Sequence, residues 1–325
     1  MKKKKYVILG IVTVLLVTVA GVLAYRMQQD KKKEKIKYDG YTDENQETNY
    51  ITYKGEKYKY NYNLRTVLFM GIEKEGEIED KKVGGGGQTD SLVLFAMDTE
   101  KKTTQALSVS RDTMTDIRTY DMSGEFLSTE RAQLALQYAY GDGKAKSCVL
   151  TREAVSNLLY QTPVNSYVAL TMEGFSRIAD ELGGVKITVP QDYTYINPAF
   201  KKGETITLNG KMAEQYVRYR DTNVSGSNNE RMERQSQFIE ALVKQLQTDM
   251  KEKKDAVHLY RKMKPYMVTD ISEEELEKMI NYEFEGKVEK VPGTVQKGEK
   301  YDEFIVDNEK LKEKVINMFY KHEKR

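Results

Sequence analysis

Two short runs constrain this chain more than any other feature. Residues 65–71 (RTVLFMG) and 91–97 (SLVLFAM) are apolar at most positions rather than at every second one. Runs of this length, bounded by glycine or polar residues, read as strands buried on both faces. A sheet covered on both faces needs helices on each side. Residues 104–110 (TQALSVS) alternate as a third strand, joined to the second by a polar hairpin at 98–102. Helices and strands then alternate along the chain. Helices are expected over 131–140, 146–160, 172–182, 209–219, 229–250, 253–263, 272–282 and 308–324, and strands over 166–170, 185–190 and 284–291. Thr171 and Asn209 stand where N-caps belong, and Gly183 and Gly184 where a helix stops. The pattern predicts one α/β domain over 62–325, built on a central sheet.

The start of the chain has a different character. Lys2, Lys3, Lys4 and Lys5 precede twenty uncharged residues, 6–25 (YVILGIVTVLLVTVAGVLAY). As a helix that run is ~30 Å long, the thickness of a hydrocarbon core. It reads as a retained anchor rather than a cleaved signal, because it is long and no small-x-small site ends it. The lysines place residues 1–5 in the cytoplasm. Residues 26–61 then read as an extracytoplasmic stalk, with a short hairpin at 53–60 turning at Gly55. The expected localisation is a single-pass cell-membrane protein whose C-terminal domain is extracytoplasmic.

Composition narrows the chemistry. One cysteine, Cys148, excludes an intrachain disulfide. His258 and His322 are the only histidines, which excludes a multi-histidine zinc site. Removing the four N-terminal lysines takes the formal charge from +2 to −2, so no nucleic-acid partner is expected.

Three places carry polar residues where the pattern expects strand ends or a helix start. Asp90 follows four glycines (VGGGGQTD) and opens the second strand. Arg111 and Asp112 end the third, in VSRDT. Four of the thirteen arginines, Arg218, Arg220, Arg231 and Arg234, fall within residues 218–235 (RYRDTNVSGSNNERMERQ). Each place alone has an ordinary reading: a turn cap, a strand-end ion pair, a solvated helix face. Together they suit a phosphate-binding arginine pocket beside a carboxylate able to hold a divalent cation, since guanidinium forks onto phosphate oxygens. Arg231 and Gln235 are four apart and share a helical face; Arg234 points elsewhere, toward the surface. The glycines make no phosphate loop, because a Gly-Lys-Ser/Thr ending is absent; they let a loop fold close over such a site or move away.

In order, the anchor, TDSLVL, SVSRDT, YAYGDG, YVALTMEGFSRIADELGGVKITVP, LNGKMAEQYVRYRD and ERMERQ resemble the LytR–CpsA–Psr proteins of the bacterial envelope. The resemblance implies a mixed sheet sandwiched between helical layers, with an apolar tunnel for a lipid. The activity it implies is a phosphotransferase moving a glycopolymer, such as teichoic acid or capsule, from a polyprenyl-pyrophosphate carrier to a muramic-acid hydroxyl of peptidoglycan, with Mg2+. By the same resemblance, Asp90 matches the metal-associated aspartate and Arg111 the arginine ending the third strand. Arg218, Arg220, Arg231 and Gln235 match the pyrophosphate-binding set. The apolar faces of 91–97 and 166–170 are candidates for the tunnel.

The chain departs from the family pattern at several positions. Gln88 stands where an arginine is usual, Glu73 where an aspartate is, Ser110 for a proline, Ala135 for an asparagine and Asn228 for an aspartate. A second metal carboxylate is then Glu73. Two readings follow: a transferase, or an envelope protein that binds polyprenyl phosphate with little or no transfer.

Overall fold

The computed structural model describes residues 50–323, apart from 222 and 250–252. The expected cytoplasmic tail, the anchor at 6–25 and the stalk up to residue 49 lie outside the described residues. No helix among the described residues is long and apolar enough to cross a membrane.

The chain opens with a hairpin, β1 (Tyr50–Tyr53) and β2 (Glu56–Tyr60). Lys54 and Gly55 turn it with φ of 50° and 82°, the geometry that suits the twist of a two-residue hairpin. Next come β3 (Leu64–Ile72), β4 (Thr89–Asp98), β5 (Thr103–Val109), β6 (Met114–Tyr120) and β7 (Phe126–Gln133). A 3₁₀ helix (Leu134–Tyr140), α1 (Ala145–Leu158), β8 (Ser166–Thr171) and α2 (Met172–Glu181) follow, then β9 (Val185–Thr188), β10 (Thr205–Leu208), α3 (Gly210–Arg218) and the long α4 (Ser227–Asp249). The remainder is α5 (Lys253–Met263), β11 (Met267–Thr269), α6 (Glu273–Met279), β12 (Glu283–Lys290), β13 (Gly293–Lys297), β14 (Asp302–Val306), α7 (Asn308–Phe319) and β15 (Tyr320–His322).

Six strands form the central sheet in the order β11-β8-β3-β4-β5-β12. It is mixed: β3 runs antiparallel to β4 and parallel to β8, and β12 is parallel to β5. Alternation along β3 and β4 between two buried faces explains why both runs are apolar at most positions. Leu68, Met70, Leu92 and Leu94 join a core with the 3₁₀ helix, α1 and α7, through Leu134, Val155 and Phe319. Phe69, Val93 and Phe95 point to the other face, toward α2 and α4. The caps form as the sequence predicts: Thr171 Oγ1 accepts from Gly174 N at 3.2 Å, and Asn209 Oδ1 from Met212 N at 2.9 Å.

Three expectations change. Residues 131–133 are the end of β7 rather than helix, because 126–133 pairs with β6 in an antiparallel ribbon. The last helix stops at Phe319, and β15 pairs with β2, Tyr320 opposite Tyr60. That pairing also ties the hairpin at 50–60 to the folded unit, which begins at Tyr50 rather than after Asn61.

Candidate functional site

Asp90 owes its position to a β-bulge. Gly71 pairs with Ser91, but Ile72 pairs with Thr89, so Asp90 has no partner residue on β3. A bulge of this kind re-aims one side chain, and here it buries a carboxylate at the mouth of β4. The glycine tract before it is tightly fitted. Gly84 N donates to Ala139 O at 2.7 Å, and Glu73 N donates to Gln88 O at 2.9 Å. A methyl on Gly86 would lie 3.1 Å from Gly143 Cα, and one on Gly87, which holds φ +82°, would lie 3.1 Å from Glu73 O. Glycine lets the chain pass beneath the 139–143 turn and return beside Glu73.

Arg111 stands in the turn two residues past β5 and reaches back across the sheet. Its Nη1 pairs with Asp90 Oδ1 and its Nη2 donates to Gln88 Oε1. Glu73 Oε2 lies 4.0 Å from Nη1, and Asp112 Oδ1 lies 3.8 Å from Nε. On α4, Arg231 and Gln235 do share a face, and both meet Asp90. Arg231 Nη1 is 3.6 Å from the carboxylate, while Gln235 Nε2 donates to Val217 O at 3.2 Å and to Asp90 O at 3.5 Å. Arg231 also donates from Nε and Nη2 to Asn228 Oδ1, at 3.1 and 2.7 Å. Asn228 in turn donates to Asp112 Oδ2 at 2.7 Å and to Ser110 Oγ at 3.3 Å. An asparagine here joins an arginine to a carboxylate, accepting from one and donating to the other. Burial pushes the Arg231 guanidinium down, against the pull of Asp90. Burial pushes the Asp112 carboxyl up, opposed by Arg220, Arg111 and Arg231.

The remaining arginines separate. Arg220 Nε donates to Ser227 Oγ at 3.3 Å, and its Nη2 is 4.0 Å from Asp302. Arg218 lies further out, 44% exposed, paired with Glu75 at 2.7 Å and Glu214 at 2.8 Å. Arg234 is the correction: it is not at the surface but 1% exposed. Its Nε donates to Tyr216 O at 2.8 Å, Nη2 donates to Tyr219 O, and Nη1 lies 3.1 Å from Glu230. It thereby satisfies carbonyls at the end of α3, which a helix leaves unpaired. Ala135 N donates to Arg111 O at 3.0 Å, holding the turn through its backbone. Sequence reasoning missed Asp302, whose only local signal is one acidic residue in a charged stretch, and Glu75.

An apolar cavity of about 350 Å³ lies on the α4 side of the sheet. Phe95 and Met97 of β4 and Val168 and Leu170 of β8 line it, with Val243 and Leu246 of α4. So one face of each expected strand contributes, while Leu92, Leu94 and Ala96 belong to the core. Arg231 and Leu246 are fifteen residues apart on α4, ~22 Å at 1.5 Å per residue. One helix therefore carries the arginine cluster near one end and a wall of the cavity near the other.

Among the described residues no three His, Cys, Asp or Glu side chains form a metal cage. Two carboxylates flank the Arg111 Nη1: Asp90, buried, and Glu73, 51% exposed. Magnesium is commonly held by one or two carboxylates together with substrate phosphates, and this donor set fits that arrangement.

The LytR_cpsA_psr family model matches residues 22–319. The chain belongs to the LytR–CpsA–Psr family. Among its relatives are two proteins named polyisoprenyl-teichoic acid–peptidoglycan teichoic acid transferase. TagU of Bacillus licheniformis is 32% identical over 183 residues, covering 56% of this chain and 52% of that protein. TagV of Bacillus subtilis is 32% identical over 185 residues, covering 55% and 42%. The chain thus spans about half the length of the curated relatives it matches. The crystal structure of B. subtilis TagV aligns with a TM-score of 0.60 at 25% identity, over 79% of this chain and 98% of that one. A structure of TagT bound to LIIa-WTA aligns with a TM-score of 0.58 at 21% identity, over 79% and 91%, a likeness of fold. The mixed α/β architecture of this LytR–CpsA–Psr protein is that of its solved relatives.

Proposed function

We propose that this protein is a membrane-anchored, extracytoplasmic phosphotransferase that moves a glycopolymer from a polyprenyl-pyrophosphate carrier to peptidoglycan. The observation that carries the reading is the pairing of the Asp90–Arg111–Arg231 cluster with the apolar cavity, α4 contributing Arg231 to the one and Val243 and Leu246 to the other. The anionic pyrophosphate suits the arginines and the isoprenoid suits the cavity, so one ligand with both parts spans the two. The transferase names of TagU and TagV support the same reaction class.

In such a reaction the acceptor hydroxyl oxygen forms a bond to the glycan-side phosphorus. The bond from that phosphorus to the bridging oxygen breaks, and polyprenyl phosphate leaves, the hydroxyl's proton ending on the departing phosphate. The protein's task is to align the reactants and neutralise charge, more than to supply covalent chemistry. Arg111 and Arg231 present guanidinium groups from two elements to the same place, each already oriented by Gln88 or Asn228. Arg220 stands at the margin, and Arg218, at the outer rim, exchanges a carboxylate partner for phosphate. Buried in the cavity, the lipid fixes the distance of the phosphates from these arginines. Asp90 and Glu73 would hold Mg2+, which supplies further charge neutralisation on phosphate oxygens.

The neutral Gln88 and Asn228, standing where the family has charged residues, favour a second reading: binding of the lipid phosphate without transfer. One experiment separates the two. Full-length protein in detergent is incubated with lipid-linked glycan and peptidoglycan oligomers, with and without Mg2+. Magnesium-dependent attachment of glycan supports the transferase. Retention of the lipid without attachment supports the binder.

A further inference from the structure

The hairpin of β13 and β14 contributes no residue to the arginine cluster, yet it touches both segments that carry it. Phe304 N donates to Asp112 O at 2.9 Å, and Thr113 bridges Phe304, so β14 is pinned to the turn that holds Arg111. Gln133 Nε2 donates to Asp302 O at 2.8 Å, a second tie at the start of the strand. From that anchored position Asp302 turns its carboxylate toward the loop between α3 and α4. Oδ1 accepts from Ser225 Oγ at 2.8 Å, Oδ2 accepts from Gly226 N at 2.7 Å, and Oδ2 is 4.0 Å from Arg220 Nη2. The side chain is only 12% exposed. Gly226 holds φ +76°, and α4 begins at the next residue, Ser227, whose hydroxyl accepts from Arg220. One carboxylate thus fixes the turn that leads into α4, and with it the place of Arg220 relative to Arg111.

We infer that Asp302 is a positioning residue for phosphate recognition: it clamps the 225–226 turn to the β13–β14 hairpin and orients Arg220 toward the pyrophosphate. This rests on the lipid-pyrophosphate reading above. The Gly226 N–H, followed by the Ser225 hydroxyl, holds the carboxyl below its usual range, so the clamp stays charged at neutral pH. Arg220, with one hydroxyl partner and a carboxylate at 4.0 Å, keeps donors for an incoming anion.

The test uses full-length protein in detergent, with farnesyl pyrophosphate and farnesol as probes. Asp302→Ala should raise the Kd for farnesyl pyrophosphate about 10-fold, as loss of a charged hydrogen-bonding partner does. It should leave the Kd for farnesol unchanged, because the cavity is untouched. In an Arg220→Ala background the same substitution should add less than about 2-fold, since both changes then act through one side chain. Asp302→Asn should recover part of the affinity, because its carbonyl still accepts from one of the two donors. Ser225→Ala removes a single bond and should weaken pyrophosphate binding by about 2-fold, which keeps the test decisive if Asp302→Ala does not fold. Equal loss of both probes, or an undiminished Asp302 effect without Arg220, would make the residue merely structural and overturn the inference. Unchanged farnesyl pyrophosphate binding in the variants would overturn it while the lipid-pyrophosphate reading stands. Failure of the unmodified protein to bind farnesyl pyrophosphate would overturn both.

Discussion

Arg231 and Arg218 belong to one sequence cluster but to two physical environments. Arg231 is almost wholly buried, pressed between Asp90 and Asn228. Arg218 is nearly half exposed, bridging Glu75 and Glu214 in water. A buried charge that loses its partner costs several kcal/mol, whereas an exposed pair is screened and contributes little. The inner residues are therefore expected to set geometry and rate, and the rim residues to tune capture of the ligand.

The comparison breaks most violently at Arg234. It is as buried as Arg231 but faces the end of α3 instead of the cluster. Arg234→Ala should lower stability by about 3 kcal/mol, because the carbonyls of Tyr216 and Tyr219 lose a charged donor. Chemical denaturation checks this; a loss under about 1 kcal/mol would mean the buried arginine is replaceable. Arg111→Lys comes next. Lysine keeps the charge but cannot meet Asp90 and Gln88 with one planar fork. Glycan transfer should fall about 100-fold, with thermal stability little changed. Transfer within a few-fold of normal would move Arg111 from the inner class to the rim.

Arg218→Ala should be milder, weakening capture of a polyprenyl pyrophosphate about 3-fold at low salt and less at high salt. A salt-independent loss of 100-fold would show that Arg218 enters the buried site when ligand binds. The smallest effect concerns acid. The Asp302 carboxyl is depressed below its ordinary 3.8. Its stabilising contribution is present above about pH 3.8 and is lost as pH falls through the lower folded value. The difference in Tm between the unmodified protein and Asp302→Asn should therefore shrink below that pH, and a difference that grows in acid would reverse the assignment.

What was legible in the sequence follows the same division between inside and outside. Strands β3, β4 and β8 declare themselves because both of their faces are buried and few positions are polar. Thr171 and Asn209 are legible because a cap is local chemistry. The ribbon of β6 and β7 and the hairpin of β13 and β14 are obscured: they lie outside the central sheet, carry many charges, and pair through contacts the local pattern does not encode. At the site, i and i+4 spacing brings Arg231 and Gln235 together against Asp90. Spacing alone could not tell that Arg234 answers the unpaired carbonyls of a different helix. Nor could it show that Gly86 packs against Gly143 and Gly87 against the Glu73 carbonyl, or that Asp302 reaches back from about eighty residues away, the gap to Arg220 in chain order.

The central claim is that the buried cluster performs phosphoryl transfer on a lipid held in the cavity, and Asp90→Asn tests it most directly. The amide keeps the shape and one acceptor oxygen but is a poor ligand for a hard divalent cation. Binding of a polyprenyl pyrophosphate and transfer of its glycan to peptidoglycan oligomers are measured on the same full-length preparation. The account predicts a folded protein that still binds the lipid, transfers glycan at least about 100-fold more slowly, and gains little from added Mg2+. Normal transfer with unchanged magnesium dependence would contradict it and leave Asp90 as the bulge residue at the start of β4.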